Sequence, residues 1–280
     1  MGDRAGMGCI FNSCGTCDAC KRGDEQHCAN AAVQAYGPHR SGANNFGGSS
    51  NRIVVREAFV IRIPNGVDLA DVAPLLCAGV TTFSPLKHWE LEDAKSVAVV
   101  GLGGLGHVAV KIAAARGADV TVFTTTPSKC DAALAMGAQR VVVWPDDAAF
   151  ASTRSSFEYV LSTTPYIRDF NPFLGVLRTE GIFRNLDLIT PPATPINNAL
   201  LMAGRRSIAG SITGSIAETQ QAVDFCAARD INADVELIPI GAVNAAYDRV
   251  VKKDVRTRSY SIIRRCAKRL GAAAQSWPPW

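Results

Sequence analysis

The sequence carries little net charge, and its longest apolar stretches are interrupted by Gly, Thr or Lys before they could cross a bilayer. Lys and Arg number 29 against 25 Asp and Glu, and the resulting charge of +4 gives no reason to expect a nucleic-acid partner. The first residues also lack the apolar stretch of a secretory signal. We therefore predict no nucleic-acid or membrane partner. The length of 280 residues, 48% of them hydrophobic, suffices for the core of one or two domains.

Histidine and aromatic residues are scarce, at four His and 7% aromatics, whereas cysteine is abundant at nine residues. Without a secretory signal, so many cysteines indicate a reducing compartment, where clustered cysteines bind metals or act in catalysis more often than they form disulfides. The sequence therefore predicts a cytoplasmic protein.

Four cysteines in a polar, glycine-containing stretch follow the spacing Cys-x2-Cys-x2-Cys-x7-Cys. A loop can wrap four thiolates tetrahedrally around Zn2+, and a site filled entirely by protein ligands is structural. A redox Cys-x-x-Cys pair and incidental loop cysteines are the alternatives, but neither explains all four positions. The predicted zinc ligands are Cys14, Cys17, Cys20 and Cys28.

The middle of the chain alternates apolar strands with helical segments. The continuous apolar run 96–100 is typical of a strand buried on both faces of a parallel sheet. Such alternation predicts an α/β fold with a right-handed, doubly wound parallel sheet of the Rossmann type. Beyond residues 96–100, we predict strands at 52–55, 59–63, 119–123, 140–143, 159–161 and 234–238, and helices at 71–86, 107–116, 130–136 and 217–229.

A glycine motif, G-x-G-x-x-G, follows the strand at 96–100 directly and opens a helix, which is the context that dinucleotide binding requires. The first glycine permits a tight turn, the second lets backbone N–H groups approach a pyrophosphate, and the third lets helix and strand pack closely. An ordinary strand–helix turn is the alternative. The predicted loop consists of Gly101, Leu102, Gly103, Gly104, Leu105 and Gly106.

The segment after the second strand of this unit distinguishes NADP from NAD. An NAD site usually places a carboxylate there to bind the ribose hydroxyls, but residues 124–129 offer hydroxyls and one cation instead. Such a set would accept a 2′-phosphate, which a carboxylate would repel. We therefore predict NADP(H), bound in part by Thr124, Thr125, Thr126, Ser128 and Lys129; a turn that caps the next helix is the alternative.

Taken together and in this order, the motifs resemble the zinc-type medium-chain alcohol dehydrogenases, in their NADP-dependent, cinnamyl-alcohol-dehydrogenase-like branch. The resemblance runs from residue 2 to about residue 263 and is carried by residues 8–28, 73–82, 99–107, 124–129, 204–211 and 216–219. It implies reversible hydride transfer between NADP(H) and a small aldehyde or primary alcohol, with the substrate oxygen on a catalytic zinc. A homodimer is also implied.

The resemblance also implies a division of the chain and further site residues. Residues 1–77 would belong to a mainly β, GroES-like catalytic domain with the zinc loop, 78–214 to the NADP-binding Rossmann domain, and 215–265 to a segment that returns to the catalytic domain, followed by a disordered tail at 266–280. Cys77 resembles the cysteine ligand of the catalytic zinc. The coenzyme contacts implied are Thr81, Thr163, Ser211, Ile212 and Thr213.

The chain departs from the family pattern in two places. The part of the family's catalytic domain that carries the first catalytic cysteine and a Gly-His-Glu ligand segment would lie before residue 2, and no Gly-His-Glu occurs here. The strand after Gly181, apolar in the family, contains Arg184, Asn185 and Asp187, whose burial requires partners. A truncated, non-catalytic NADP-binding protein with a structural zinc is therefore the alternative; a zinc-ribbon interaction module would leave the βαβ region unexplained.

Overall fold

A computed structural model of the chain describes residues 3–38, 44–47, 53–91, 95–144, 147–165, 167, 169–186, 193–252 and 258–261. The predicted tail at 266–280 and the predicted strand residue Asp187 lie outside these residues. Within them, no single helix has the length and apolar character to cross a membrane, although the bent pair Leu69–Leu76 and Ala78–His88 meets both criteria jointly.

The first part of the chain forms short strands that pair antiparallel. Strand β1 pairs with β6, β2 with β3, and β4 with β5, and short 3-10 turns occur at Glu25–His27 and Glu57–Phe59. The elements are β1 Ala5–Met7, β2 Ile10–Asn12, α1 Asp18–Lys21, β3 Val33–Gln34, β4 Tyr36–Pro38, β5 Asn44–Phe46, β6 Val60–Arg62 and α2 Leu69–Val72.

The prediction of a strand at 52–55 is wrong for residues 53–55, which the structure describes, because residues 53–56 have no regular structure. Ile53 is 51% and Val54 96% exposed, so this apolar run packs on no sheet there. The strand predicted at 59–63 is shorter than expected, since Phe59 closes the preceding 3-10 turn.

The helix predicted at 71–86 is interrupted. Helix α2 passes into a 3-10 turn at Ala73–Leu76, where Pro74 cannot donate a backbone hydrogen bond. Cys77, with φ −125° and ψ −70°, then leaves the helical region before α3 begins at Ala78. This break places Cys77 at the start of α3, in an exposed position.

A six-stranded parallel sheet follows, in the order β12-β11-β10-β7-β8-β9. When β7 to β12 are numbered 1 to 6 and the sheet is read from β9, the strand order is 3-2-1-4-5-6, which is that of a Rossmann fold. This order confirms the predicted doubly wound α/β architecture. Its elements are α3 Ala78–His88, β7 Ser96–Val100, α4 Gly106–Ala115, β8 Asp119–Thr124, α5 Cys130–Ala135, β9 Arg140–Val143, α6 Asp147–Ala151, β10 Phe157–Ser162, α7 Asn171–Gly175, β11 Leu177–Asn185, α8 Asn198–Met202 and β12 Ser207–Gly210.

Both faces of the sheet are covered because alternate side chains of each strand point to opposite sides. On one face, Val97 and Val99 of β7 pack in a layer that includes residues of α3 and α4. On the other, Ala98 and Val100 pack in a layer rich in phenylalanine, with Phe123 and Phe173 at ring-centroid distances of 6.0 Å. All five residues of β7 are buried.

After β12 the chain continues into α9 Ile216–Ala227, β13 Val235–Ile238, α10 Val243–Val251 and β14 Arg258–Ser261. The Ser215 side chain accepts a hydrogen bond from the Glu218 N–H, and the Glu218 carboxylate accepts one from the Ser215 N–H. This reciprocal cap fixes the start of α9. Strands β13 and β14 pair parallel. We refer to residues 215–265, of which the structure describes 215–252 and 258–261, as the return segment.

Arg184 of β11 is fully buried, at 0% exposure. Its guanidinium carbon lies 4.2 Å from the ring centroids of both Trp89 and Tyr159, so two aromatic faces enclose the charge. Among the described residues its nitrogen atoms have no hydrogen-bond partner. Burial lowers the pKa of Arg184 to about 10, although Tyr159 opposes this shift. The buried cation expected in this strand is therefore enclosed by rings and has no described carboxylate as its partner.

Candidate coenzyme and zinc sites

The glycine loop joins the carboxyl end of β7 to the first turn of α4. Gly101 has φ +90°, a conformation that favours glycine, and its N–H donates to Phe123 O at 2.9 Å. The loop therefore lies at the carboxyl edge of the sheet, beside the point where the strand order reverses. Ligands bind at this position in open α/β sheets.

Gly103 and Gly106 have opposite surroundings. A Cβ on Gly106 would lie 2.0 Å from Gly101 O, so only glycine allows the helix start to approach the strand end. A Cβ on Gly103 would meet nothing within 4 Å, and the residue is exposed. The space at Gly103 is free for a pyrophosphate, as the motif predicts.

Thr163 contacts the loop directly. Its hydroxyl donates to Val100 O at 3.0 Å or to Gly101 O at 3.2 Å. Thr163 follows β10, so the structure brings this predicted coenzyme residue to the glycine loop from the neighbouring strand. The predicted coenzyme residues Thr163 and Gly101 are thus in contact, although they are separated by 62 positions in the sequence.

The predicted phosphate segment also reaches the loop. Lys129 donates from Nζ to Leu102 O at 2.8 Å, and burial lowers its pKa from the ordinary value. The Thr124 hydroxyl accepts a hydrogen bond from the Thr126 N–H at 3.2 Å, which fixes the turn, while Thr125 and Ser128 are exposed. A half-buried cation and exposed hydroxyls thus stand beside the loop, and the segment contains no carboxylate.

The residues predicted at the nicotinamide end follow β12. Ser211 donates from its N–H to Asn185 O at 3.1 Å, Ile212 is 54% exposed, and the Thr213 hydroxyl is buried without a hydrogen-bond partner among the described residues. A Cβ on Gly214 would lie 2.6 Å from Val80 Cγ2, so this loop packs closely on the turn of α3 that also carries Thr81. Thr81 is buried and donates from its N–H to Cys77 O at 3.0 Å.

The structure brings the four predicted zinc ligands together. The Sγ atoms of Cys14, Cys17, Cys20 and Cys28 all lie within 4.8 Å of one another. Tetrahedral Zn–S bonds of about 2.3 Å require Sγ–Sγ distances of about 3.8 Å. Cys14 and Cys20 are already 3.8 Å apart, so this donor set fits a structural zinc with little adjustment.

Hydrogen bonds lower the pKa of two of these cysteines and so favour the thiolate, the form that binds a metal. The backbone N–H of Thr16, supported by that of Cys17, lowers the pKa of Cys14 to about 5. The N–H of Cys20 is the main cause of the lowered pKa of Cys17. Although its hydrogen bond with Ser13 lowers the pKa of Cys20, burial and the neighbouring thiols raise it to about 11.

Cys77 has different surroundings. It is exposed, whereas the cysteine cluster is the group of potential metal ligands that the described residues bring together. Within the described part of the chain, Cys77 is therefore not assembled with two further ligands, as a catalytic zinc would require. The described residues alone therefore do not supply the ligand set of a catalytic zinc.

The sequence interpretation overlooked two residues that support the site. His107 and Asp234 form a hydrogen bond, Asp234 N–H to Nε2 of His107, at 3.1 Å. The sequence feature that could have indicated this contact is His107 itself, a single histidine directly after the glycine motif in the otherwise apolar first half of a buried helix.

Comparisons with known proteins identify the family of the chain. Residues 104–228 match the zinc-binding dehydrogenase family. The chain is 44% identical over 264 residues to "NADP-dependent alcohol dehydrogenase C 1" of Mycolicibacterium smegmatis, an alignment that covers 92% of this chain and 74% of that protein. Among solved structures, a cinnamyl alcohol dehydrogenase of Sorghum bicolor (SbCAD4) superposes with a TM-score of 0.87 at 36% identity, covering 93% of this chain and 74% of that one.

A second structure, the cinnamyl alcohol dehydrogenase of Helicobacter pylori in complex with NADP(H), superposes with a TM-score of 0.84 at 34% identity, covering 93% of this chain and 75% of that chain. The fold and its coenzyme edge define the class: this is a Rossmann-type, zinc-binding dehydrogenase. Within that class, the chain belongs to the family of NADP-dependent alcohol dehydrogenases that includes the cinnamyl-alcohol type, as the resemblance predicted. Family members are oxidoreductases that act on alcohols and aldehydes.

Proposed function

We propose that this chain binds NADP(H) along residues 101–106 and 124–129 and serves in zinc-dependent hydride transfer between that coenzyme and a small aldehyde or primary alcohol. The observation that carries the proposal is the contact of Lys129 Nζ with Leu102 O at 2.8 Å, which brings a cation to the glycine loop. The coenzyme supplies the hydride chemistry when it is bound.

The residues of the chain have separate tasks in this proposal. Backbone N–H groups of the glycine loop and the N-terminus of α4 receive the pyrophosphate. Lys129, with the hydroxyls of Thr125 and Ser128, receives the 2′-phosphate. Residues 211–213, with Thr81 and Thr163, orient the nicotinamide end.

We assign one zinc ion to the cysteine cluster, where it stabilises the fold of residues 13–28. Cys77 would contribute one thiolate to a catalytic zinc. Because the described residues supply no second and third ligand beside it, we derive no step through such an ion.

The direct test combines zinc content per purified chain, an NADPH fluorescence titration, and NADPH oxidation with cinnamaldehyde as the probe. About one zinc with NADPH bound supports the structural cluster and the coenzyme site. Two zincs together with aldehyde reduction support a complete catalytic site that includes Cys77. No binding of NADPH contradicts the proposal.

The preference for NADPH has its own test. Removing the Lys129 charge with Lys129→Ala should weaken NADPH binding about tenfold to a hundredfold, the range for a hydrogen bond to a charged group, and leave NADH binding unchanged. Lys87→Ala, which removes an exposed lysine whose Nζ bonds Gln221 at 2.6 Å, is the matched control. An equal loss for both coenzymes would contradict the assignment of Lys129 to the 2′-phosphate.

A second candidate is an NADP-binding protein with a structural zinc that carries out no hydride transfer. The described metal-ligand group favours it, since that group consists of Cys14, Cys17, Cys20 and Cys28 and does not include Cys77. Measurable aldehyde reduction by the purified chain would exclude this candidate.

The division of the chain, its assembly and its location complete the proposal. We place the catalytic-domain residues at 1–77 and 215–265, the coenzyme domain at 78–214 and the tail at 266–280. A homodimer is supported by the resemblance, and β12 lies at an edge of the sheet, where strands can pair between chains. The nine cysteines of the chain suit the reducing cytoplasm. Sedimentation of the purified chain tests the homodimer.

A further inference from the structure

His107 is the second residue of α4 and is 1% exposed. Its Nδ1 lies 2.9 Å from Gly103 O, and the Asp234 N–H donates to its Nε2 at 3.1 Å. Because a backbone N–H can only donate, Nε2 must be the acceptor, and the ring proton of the neutral imidazole is on Nδ1. Nδ1–H therefore donates to Gly103 O.

The Gly103 carbonyl accepts a second hydrogen bond, from the backbone N–H of His107 at 3.1 Å. The peptide that joins Gly103 to Gly104 is planar and trans, so its N–H points in the direction opposite to its carbonyl. Fixing the carbonyl toward the helix thereby directs the Gly104 N–H away from it. The imidazole, together with the His107 backbone N–H, thus helps to fix the direction of the Gly104 N–H in the phosphate loop.

The other side of the ring contacts the return segment, and a neighbouring lysine supports that contact. Lys111, one turn further along the same helix face, donates from Nζ to Asn232 O at 2.8 Å and pairs with Asp234 Oδ1 at 2.6 Å. Three hydrogen bonds, two donated by Lys111 and one donated by the Asp234 N–H to His107, thus hold residues 232–234 against α4, immediately before β13.

We propose that His107 is a positioning residue for the coenzyme reaction: its ring connects Gly103 O of the phosphate loop to the Asp234 N–H of the return segment, so that coenzyme binding and the order of residues 232–234 strengthen each other. Linkage makes this effect reciprocal. The proposal rests on the coenzyme site described under the proposed function.

Two substitutions separate the two hydrogen bonds. The side-chain amide of Asn reaches the position of Nδ1, so His107→Asn keeps a donor to Gly103 O and loses the acceptor for Asp234. The longer Gln reaches the position of Nε2, so His107→Gln keeps the acceptor for Asp234 and loses the donor to the loop. Each variant thus retains one of the two contacts.

We expect His107→Gln to weaken NADPH binding about fivefold to tenfold, the effect of one hydrogen bond, and His107→Asn to bind it within about twofold of the parent. Hydrogen exchange provides the second readout. NADPH should slow exchange of the Asp234 amide in the parent chain and have no effect on it in His107→Asn. Lys87→Ala, which removes an exposed lysine outside these contacts, is the control and should retain the NADPH affinity of the parent.

Exchange without coenzyme tests the connection independently of NADPH binding: the Asp234 amide should exchange at least about tenfold faster in His107→Asn than in His107→Gln. Equal exchange in the two variants would overturn the proposal, as would an equal loss of NADPH affinity in both that follows their Tm values, because His107 would then be a packing residue. A parent chain that binds no NADPH contradicts the proposed coenzyme site, whereas this coenzyme-free comparison still decides the role of His107.

Discussion

Strand β7 and the cysteine loop of residues 14–28 differ in how their residues are held. All five residues of β7 are buried between layers of side chains, whereas Cys28 is the buried residue of the loop. The strand is therefore stabilised by removal of apolar surface from water, at about 25 cal/mol per Å2. The loop has little buried surface, and its four cysteine sulfur atoms lie where one metal ion could bind them, so we expect its fold to depend on that ion. A burial pattern of this kind distinguishes a segment that folds with the core from one that folds with its metal.

The largest expected effect separates the two regions. Cys17→Ser should reduce the zinc content from about one ion per chain to none and make residues 13–31 sensitive to protease, because structural zinc contributes about 10 kcal/mol or more to such a loop. NADPH binding should persist, since the six-stranded sheet does not depend on the metal. Cys130→Ser, at an isolated cysteine, should retain the zinc. Loss of the sheet's circular dichroism in Cys17→Ser would show that the two regions are not separable.

A pair of glycine substitutions divides the sheet region further. Gly106→Ala places a methyl group 2.0 Å from Gly101 O and should lower the free energy of unfolding by about 1–3 kcal/mol, as overpacking does. Gly103→Ala meets no atom within 4 Å, so its stability should remain close to that of the parent while NADPH affinity falls, because the methyl group occupies the space for the phosphates. Urea unfolding and NADPH titration measure the two effects. Equal destabilisation by both substitutions would contradict this division.

Arg184 is an exception to burial of apolar surface within the sheet. Arg184→Met replaces the enclosed cation with an apolar chain of similar length and should raise the free energy of unfolding by about 1 kcal/mol or more, because the charge is no longer desolvated. Arg184→Ala, which also removes the stem between Trp89 and Tyr159, should lower it. Urea denaturation of both variants provides the measurement, and a Met variant less stable than the Ala variant would contradict the interpretation.

The smallest effect concerns the exposed pair of Glu236 and Arg249. Two hydrogen bonds, at 2.7 and 3.0 Å, lower the pKa of Glu236 below its ordinary value of 4.5. The folded state therefore gains stability from this carboxylate above about pH 4.5 and loses the gain as the pH falls through the lowered pKa. Arg249→Met should move the pKa of Glu236 back toward 4.5 in an NMR titration, with no measurable change in Tm at neutral pH, since exposed pairs contribute little. An unchanged pKa would show that another group causes the shift.

The sequence was informative where one local pattern determines the outcome. The buried strand 96–100, the glycine loop after it and the four-cysteine spacing each predicted a local arrangement, and the structure has all three. The prediction of a strand at 52–55 was wrong because a run of apolar residues does not indicate whether a neighbouring strand is available to pair with it. The contact between His107 and Asp234 joins positions 127 residues apart, and no short-range pattern encodes such a separation.

Arg184 has one more consequence, which concerns the alignment of β11 with its neighbours. Phe183 lies 4.9 Å from the Phe170 ring in the phenylalanine layer, and Arg184 points to the opposite face. A slip of one residue along β10 would exchange these faces, and the guanidinium would enter a layer without the Trp89 and Tyr159 rings that enclose it. Misplacing a buried charge in this way costs several kcal/mol, whereas exchanging two aliphatic residues would cost little. We therefore expect Arg184 to specify the register of β11: it lowers the stability of the sheet but restricts β11 to one pairing with its neighbours.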